Sequence, residues 1–191
     1  MHKIGIFLAD GCEEIEALTV VDIVRRAGIE ITMISITDDL KVTSSHNVSF
    51  LAEITAKEAD YDSFDGIVLP GGMPGTIHLK ESAYVQEVIC KFAEEGKLVS
   101  AICAAPSVLG EADLLNGKNA TCYPEFEEKL LGASIVETDV VRDGNIITSR
   151  GMGTAIPFAL EIVRYFMGGE KAEELMNGII YSEYSSLRTD C

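Results

Sequence analysis

The residue best suited to chemistry is Cys103. The apolar run Leu98-Val99-Ser100-Ala101-Ile102 delivers it from a strand, and Ala104-Ala105-Pro106 opens a helical pattern at once, with no room for a relaxed loop. Such an elbow holds sulfur above a sheet and near a helix N-terminus, whose free N–H groups and positive dipole end favour thiolate over thiol and can bind an oxyanion. The competing reading is a buried, inert cysteine that packs as a small hydrophobe. Gly71 and Gly72 supply bare backbone N–H groups that can approach the same sulfur and complete an anion hole, or they are merely a turn.

Three acids, Glu13, Glu14 and Glu16, crowd the first turn of a helix, where carboxylates ordinarily just complement the dipole. That reading suffices for Glu13 and Glu14. Glu16 lies two residues before Leu18, which is expected to face the core, so Glu16 is expected to point inward beside Cys103. Burial there would raise its pKa and make it a proton shuttle or a donor to sulfur oxygens. His2, His46 and His78 lack the spacing of a metal site, and each reads as a surface histidine. Cys12, Cys90, Cys122 and Cys191 lack the strand-to-helix setting and are given no role.

These candidates need a frame that brings distant loops together. Lys3 to Leu8 reads as a strand, followed by a helix with Leu18, Val21, Val24 and Ala27 on one stripe and Gly28 as a left-handed cap. Glu30 to Ser35 is a second strand, and residues 41 to 54 suit short strands. Gly66 to Leu69 is a buried-type strand that runs into Pro70-Gly71-Gly72-Met73-Pro74-Gly75. Ser82 begins a helix with Tyr84, Val85, Val88, Ile89 and Phe92 toward the core, stopped by Gly96. Val136 to Val141 and Ile146 to Ser149 flank an Asp143-Gly144 hairpin, Thr154 to Met167 closes as a helix, and the tail from Tyr181 to Cys191 is polar enough to be loosely held. Alternating strands and helices predict an α/β fold with a mostly parallel sheet and helices on both faces. In such a sheet, ligands gather outside the carboxyl ends of the strands, where the loops at Asp10, Pro70 and Cys103 all emerge.

Composition narrows the partners. The 191 residues predict a single domain, 1–191, and a net charge of −16 disfavours nucleic acid. No apolar run approaches a membrane span, and no signal peptide is visible. Five cysteines, no two closer than 13 residues, exclude a C-x-x-C motif and argue against a disulfide scaffold, so a reducing cytoplasm is the expected compartment.

Taken together, Glu13-Glu14-Ile15-Glu16, Leu69-Pro70-Gly71-Gly72, Ala101-Ile102-Cys103-Ala104-Ala105-Pro106 and Thr148-Ser149-Arg150-Gly151-Met152-Gly153-Thr154 resemble the ThiJ/PfpI superfamily in its DJ-one branch. The resemblance runs nearly end to end, and four ordered motifs are far more specific than one. It implies a flavodoxin-like three-layer sandwich, a homodimer, a reactive Cys103 with Glu16 hydrogen-bonded to it, and backbone at Gly72 and Ala104 as the anion hole. Arg150 would shape the pocket rim or do an ordinary structural job in its loop. One departure is Tyr123, which stands before Pro124 where many members place a histidine. With an ordinary pKa of about 10 it is no base near neutrality, so Glu16 or water must move protons. A second is His46, near where some relatives carry an arginine beside the pocket; whether it reaches Cys103 is open.

The resemblance implies an enzyme that converts 2-oxoaldehydes such as methylglyoxal to hydroxy acids through Cys103, or releases the corresponding adducts from glycated amines, with no metal, glutathione or other cofactor. The alternative is an oxidative-stress sensor whose Cys103 oxidises to sulfinic acid. Proteolysis or amidotransfer is disfavoured, because the cysteine-histidine pairing is missing.

Overall fold

A computed structural model describes residues 2–181. Its strands are Lys3–Leu8 (β1), Glu30–Ser35 (β2), Lys41–Thr43 (β3), Ser49–Leu51 (β4), Ile54–Thr55 (β5), Gly66–Leu69 (β6), Leu98–Ile102 (β7), Asn119–Ala120 (β8), Ser134–Ile135 (β9), Val140–Asp143 (β10) and Ile146–Ser149 (β11). Its helices are Glu14–Arg26 (α1), Gly75–Glu81 (α2), Ala83–Glu94 (α3), Pro106–Glu111 (α4), Ala155–Met167 (α5) and Gly169–Gly178 (α6). A seven-stranded sheet runs β10-β11-β7-β6-β1-β2-β5, parallel throughout except for the β10–β11 edge pair.

Both faces of the sheet are covered, which is why its central strands are apolar without alternation. On one face Ile4, Ile6 and Leu8 pack with Val20 and Val24 of α1 and with Phe158, Ile162 and Val163 of α5. On the other, Phe7, Ile67, Leu69 and Val99 pack with Val85, Val88, Ile89 and Phe92 of α3 and with Val108 and Leu109 of α4. Each such side chain contributes about 1.5–3 kcal/mol by leaving water. The result is the α/β fold that the pattern predicts and the flavodoxin-like sandwich that the resemblance implies.

Topology then places the site. The chain leaves β1 for β2 on one side and later returns to lay β6 on the other, so the strand order reverses between β1 and β6. Loops leaving adjacent strands at such a switch point diverge and open a crevice at the carboxyl ends. The loops after β1 and β6 border it, and Cys103, at the end of neighbouring β7, completes it.

Several expectations fail for local reasons. Leu18 is 38 % exposed; the buried face of α1 is Glu16, Ala17, Val20, Val21, Ile23 and Val24. A carboxyl occupies a core position there, so apolar spacing alone sets the stripe askew. Tyr84 also faces outward, at 41 % exposure. The hairpin strand begins at Val140 rather than Val136, because the Val136 N–H goes to Ala120 O, extending the β8–β9 pairing, and Thr138 N–H turns back to Val136 O. α2 starts inside the Gly/Pro-rich stretch at Gly75, and α6 follows α5 after Gly168. Tyr181 donates its N–H to Met176 O and packs on the α1–α5 core, while the rest of the expected loose tail, with Cys191, lies outside the described residues.

Candidate active site

Cys103 sits at φ +66°, the left-handed region that a non-glycine residue enters only when its surroundings enforce it. Its N–H donates to Ser149 O at 3.0 Å and its carbonyl accepts from Tyr123 N–H at 2.8 Å, so β11 and the segment after β8 hold the turn from both sides. The elbow read from the sequence is therefore present, with Ala104 and Ala105 buried behind it.

Glu16 is 1 % exposed and points at this elbow. Its Oε2 accepts the Gly71 N–H at 2.8 Å, while Oε1 has no ordinary hydrogen-bond partner among the described residues. The Cys103 thiol is the group coupled to this carboxyl. Gly71 is required here by space: a Cβ on it would lie 2.6 Å from Cys103 Cβ and 2.8 Å from Glu16 Oε2. Gly72 is required twice over, by φ +92° and by collision of any side chain with the Glu13 backbone. Glu13 N–H donates to Gly71 O and Gly75 N–H to Gly11 O, which locks the β1 and β6 loops together.

Two electrostatic influences oppose each other at the sulfur. Burial, then the Glu16 carboxylate, push the Cys103 thiol up to about 12, against the N–H groups of Gly72 and Ala104, which favour thiolate. α4 is only six residues long, so its dipole is short, and burial wins. Burial likewise raises Glu16 to about 7, opposed by the Gly71 N–H. The two groups titrate as a pair: above the first step the pair keeps one proton and one negative charge. Thiolate at Cys103 then requires that proton to sit on Glu16.

A cavity of about 620 Å³ opens over the sulfur, lined by Glu16, Cys103, Tyr123, Arg150, His46 and Glu13 among others. All the sequence-nominated pocket side chains thus reach one cavity, with Gly71, Gly72 and Ala104 beneath. Tyr123 is 49 % exposed and lies against Gly151, where an added Cβ would come within 3.2 Å of its ring. His46 stands at the mouth, its Nδ1 3.2 Å from Glu14 Oε2 and 3.5 Å from Glu13 Oε2, and these carboxylates raise its pKa. Sequence spacing missed this cluster, since His46 comes from the β3–β4 hairpin. The donor atoms of Glu13, Glu14 and His46 lie within 4.8 Å of one another, a spacing that suits the His46 proton and would also admit a cation. His78 is placed apart, donating from Nδ1 to Asp10 O at 2.8 Å.

Residues 2–165 match the family model described as DJ-1/PfpI family. The chain belongs to that family. Among DJ-1/PfpI relatives, Protein dj-1beta of Drosophila melanogaster is 38% identical over 177 residues, covering 92% of this chain and 95% of its own. Glutathione-independent glyoxalase DJR-1.2 of Caenorhabditis elegans is 31% identical over 170 residues, 87% of this chain and 89% of its own. A structure of oxidized DJ-1 from Toxoplasma gondii superposes with a TM-score of 0.92 at 33% identity, covering 96% of this chain and 100% of that one.

Proposed function

We propose that this DJ-1/PfpI protein converts 2-oxoaldehydes to 2-hydroxy acids at Cys103 without glutathione, metal or other cofactor. The observation that carries the reading is the buried Glu16 carboxyl, raised to about 7, coupled to a thiol held on a strained elbow. A relative of 31% identity bears the glyoxalase name, which supports the same reading.

In the reactive form Glu16 carries the shared proton and sulfur the charge, with the N–H groups of Gly72 and Ala104 turned to it. Sulfur bonds to the aldehyde carbon, and the oxygen that gains the carbonyl electron pair takes the Glu16 proton. Glu16, now carboxylate, removes the hydrogen from that carbon to give an enediolate and returns it to the neighbouring carbon, while the hydroxyl proton passes from the first oxygen to the second. The aldehyde carbon is thereby oxidised and the ketone carbon reduced, with no outside oxidant. Water then cleaves the resulting thioester, releasing the hydroxy acid and restoring the thiol. Adducts on glycated amines would join this route once the carbinol carbon expels the amine, which leaves with the hydroxyl proton and regenerates the aldehyde. Purified protein given methylglyoxal should yield lactate, and lactate formation unchanged in Cys103→Ala would reject the proposal.

A second reading, a sensor whose Cys103 is oxidised by peroxide to sulfinic acid, is favoured by the donors around the sulfur. Gly72 N–H, Ala104 N–H and a protonated Glu16 suit sulfur-bound oxygens. Peptide mass after mild peroxide should place two added oxygens on Cys103 first; earlier oxidation of another cysteine would reject it.

We extend the proposal to a single domain, a homodimer and a cytoplasmic setting. One sheet gathering strands from Lys3 to Ser149 supports the first. Ile15 and Leu18, exposed on α1, support the second. Cys12, Cys90, Cys103 and Cys122, all free, support the third. Among the described residues no helix is long and apolar enough to cross a membrane.

A further inference from the structure

The cavity over Cys103 is much larger than a three-carbon aldehyde needs. At about 620 Å³ it falls within the range of roughly 300–1,000 Å³ that accommodates ligands of drug size. Its wall carries one permanent cation, Arg150. Among the described residues the Arg150 side chain makes no hydrogen bond or ion pair, although Glu13, Glu16 and Asp139 line the same space. Its backbone N–H donates to Asp139 O, which fixes the root of the side chain, and its charge is felt at Cys122, next to Tyr123. The other basic group at the mouth, His46, already faces Glu13 and Glu14.

In a chain of net charge −16 carboxylates are abundant and a planar fork matches them well, yet among the described residues the partly buried Arg150 guanidinium has none within ion-pair distance. Glu16 is spoken for by Gly71 and Cys103 and Glu13 by His46, while Asp139 meets Arg150 only through its backbone carbonyl and its carboxylate makes no ion pair with the guanidinium. The ligand that completes Arg150 therefore comes from outside. A singly charged carboxylate suits one guanidinium, whereas a phosphate dianion would leave surplus negative charge among these acids.

We propose that Arg150 is a specificity residue that binds a carboxylate on the substrate, so that the preferred 2-oxoaldehydes are acidic ones with a chain between the dicarbonyl and the carboxylate. The substrate class rests on the glyoxalase reading; the carboxylate site itself does not. The dicarbonyl end sits over Cys103 while the acid end lies along Arg150, and the bulk of the cavity between them takes the connecting carbons. Methylglyoxal fills only the first part.

Two measurements test this in the full chain. The first is the ratio of kcat/KM for 4,5-dioxopentanoate to that for methylglyoxal. It should exceed one in the wild type, fall about tenfold or more in Arg150→Gln, and lie between in Arg150→Lys, as expected for loss of a charge-assisted hydrogen bond. The second needs no turnover: alkylation of Cys103 by iodoacetate relative to iodoacetamide, read by peptide mass. The iodoacetate preference should drop severalfold in Arg150→Gln and be retained in Arg150→Lys. An alkylation ratio indifferent to Arg150 overturns the proposal even if methylglyoxal is consumed. An Arg150-dependent ratio with neither aldehyde consumed supports the carboxylate site while removing the glyoxalase reading.

Discussion

Cys103 and Cys122 make an instructive pair. Burial pushes both thiols up to about 12, yet their surroundings differ. Cys122 is 2 % exposed and packs into the apolar cluster around Phe7, Ile67 and Leu69. Cys103 has a left-handed backbone, a carboxyl coupled to its sulfur, two N–H groups turned toward it and an open cavity above. A high thiol pKa is therefore no sign of inertness by itself. What separates the two is whether a neighbour can take the proton.

The sharpest break of this contrast is substitution. Cys103→Ala should reduce 2-oxoaldehyde conversion to background, whereas Cys122→Ala should keep most of it and lose stability instead, as measured by lactate formation and thermal unfolding. Next is Glu16→Gln, which removes the proton acceptor while keeping the Gly71 contact. Its kcat should fall by about 10²–10⁴-fold, and the titration near pH 7 should vanish from the pH–rate profile.

Gly71→Ala should act on the pair from below. Its Cβ would overlap Cys103 Cβ and Glu16 Oε2, at a cost of about 1–3 kcal/mol in urea unfolding with a parallel loss of activity. A comparable stability change should follow pH. The Glu16 carboxyl is raised from 4.5 to about 7 in the fold, so between those values the native state holds more protons than the unfolded chain. Stability then declines as pH rises through that window, by about 3 kcal/mol, and Glu16→Gln should flatten the slope. The smallest effect is at the rim. His46 should titrate above 6.5 by NMR, and Glu14→Gln should bring it down with little change in turnover.

Much of this was legible in the chain. The β7–Cys103–α4 elbow and the glycine pair after β6 follow from local pattern, because strand, turn and helix signals there agree. Glu16 does point inward, but not because Leu18 is core: Leu18 is exposed and the carboxyl itself holds the buried position. Binary patterning reads acids as exposed, so it cannot find one paired with a thiol. The Glu13–Glu14–His46 cluster and the unpaired Arg150 depend on loop geometry between segments far apart in sequence, which no local period encodes. At Cys103 the helix dipole that favours thiolate is visible in sequence, whereas the desolvation that raises the thiol is not.

The φ of +66° at position 103 has a consequence for anyone who disarms the protein. A left-handed backbone costs an ordinary residue about 1–3 kcal/mol, and glycine avoids that penalty. Cys103→Gly should therefore melt at a higher temperature than Cys103→Ala, because relief of torsion exceeds the roughly 0.4–1 kcal/mol that glycine loses through its freer unfolded chain. Natural selection for ruggedness and for reactivity would pull this codon in opposite directions.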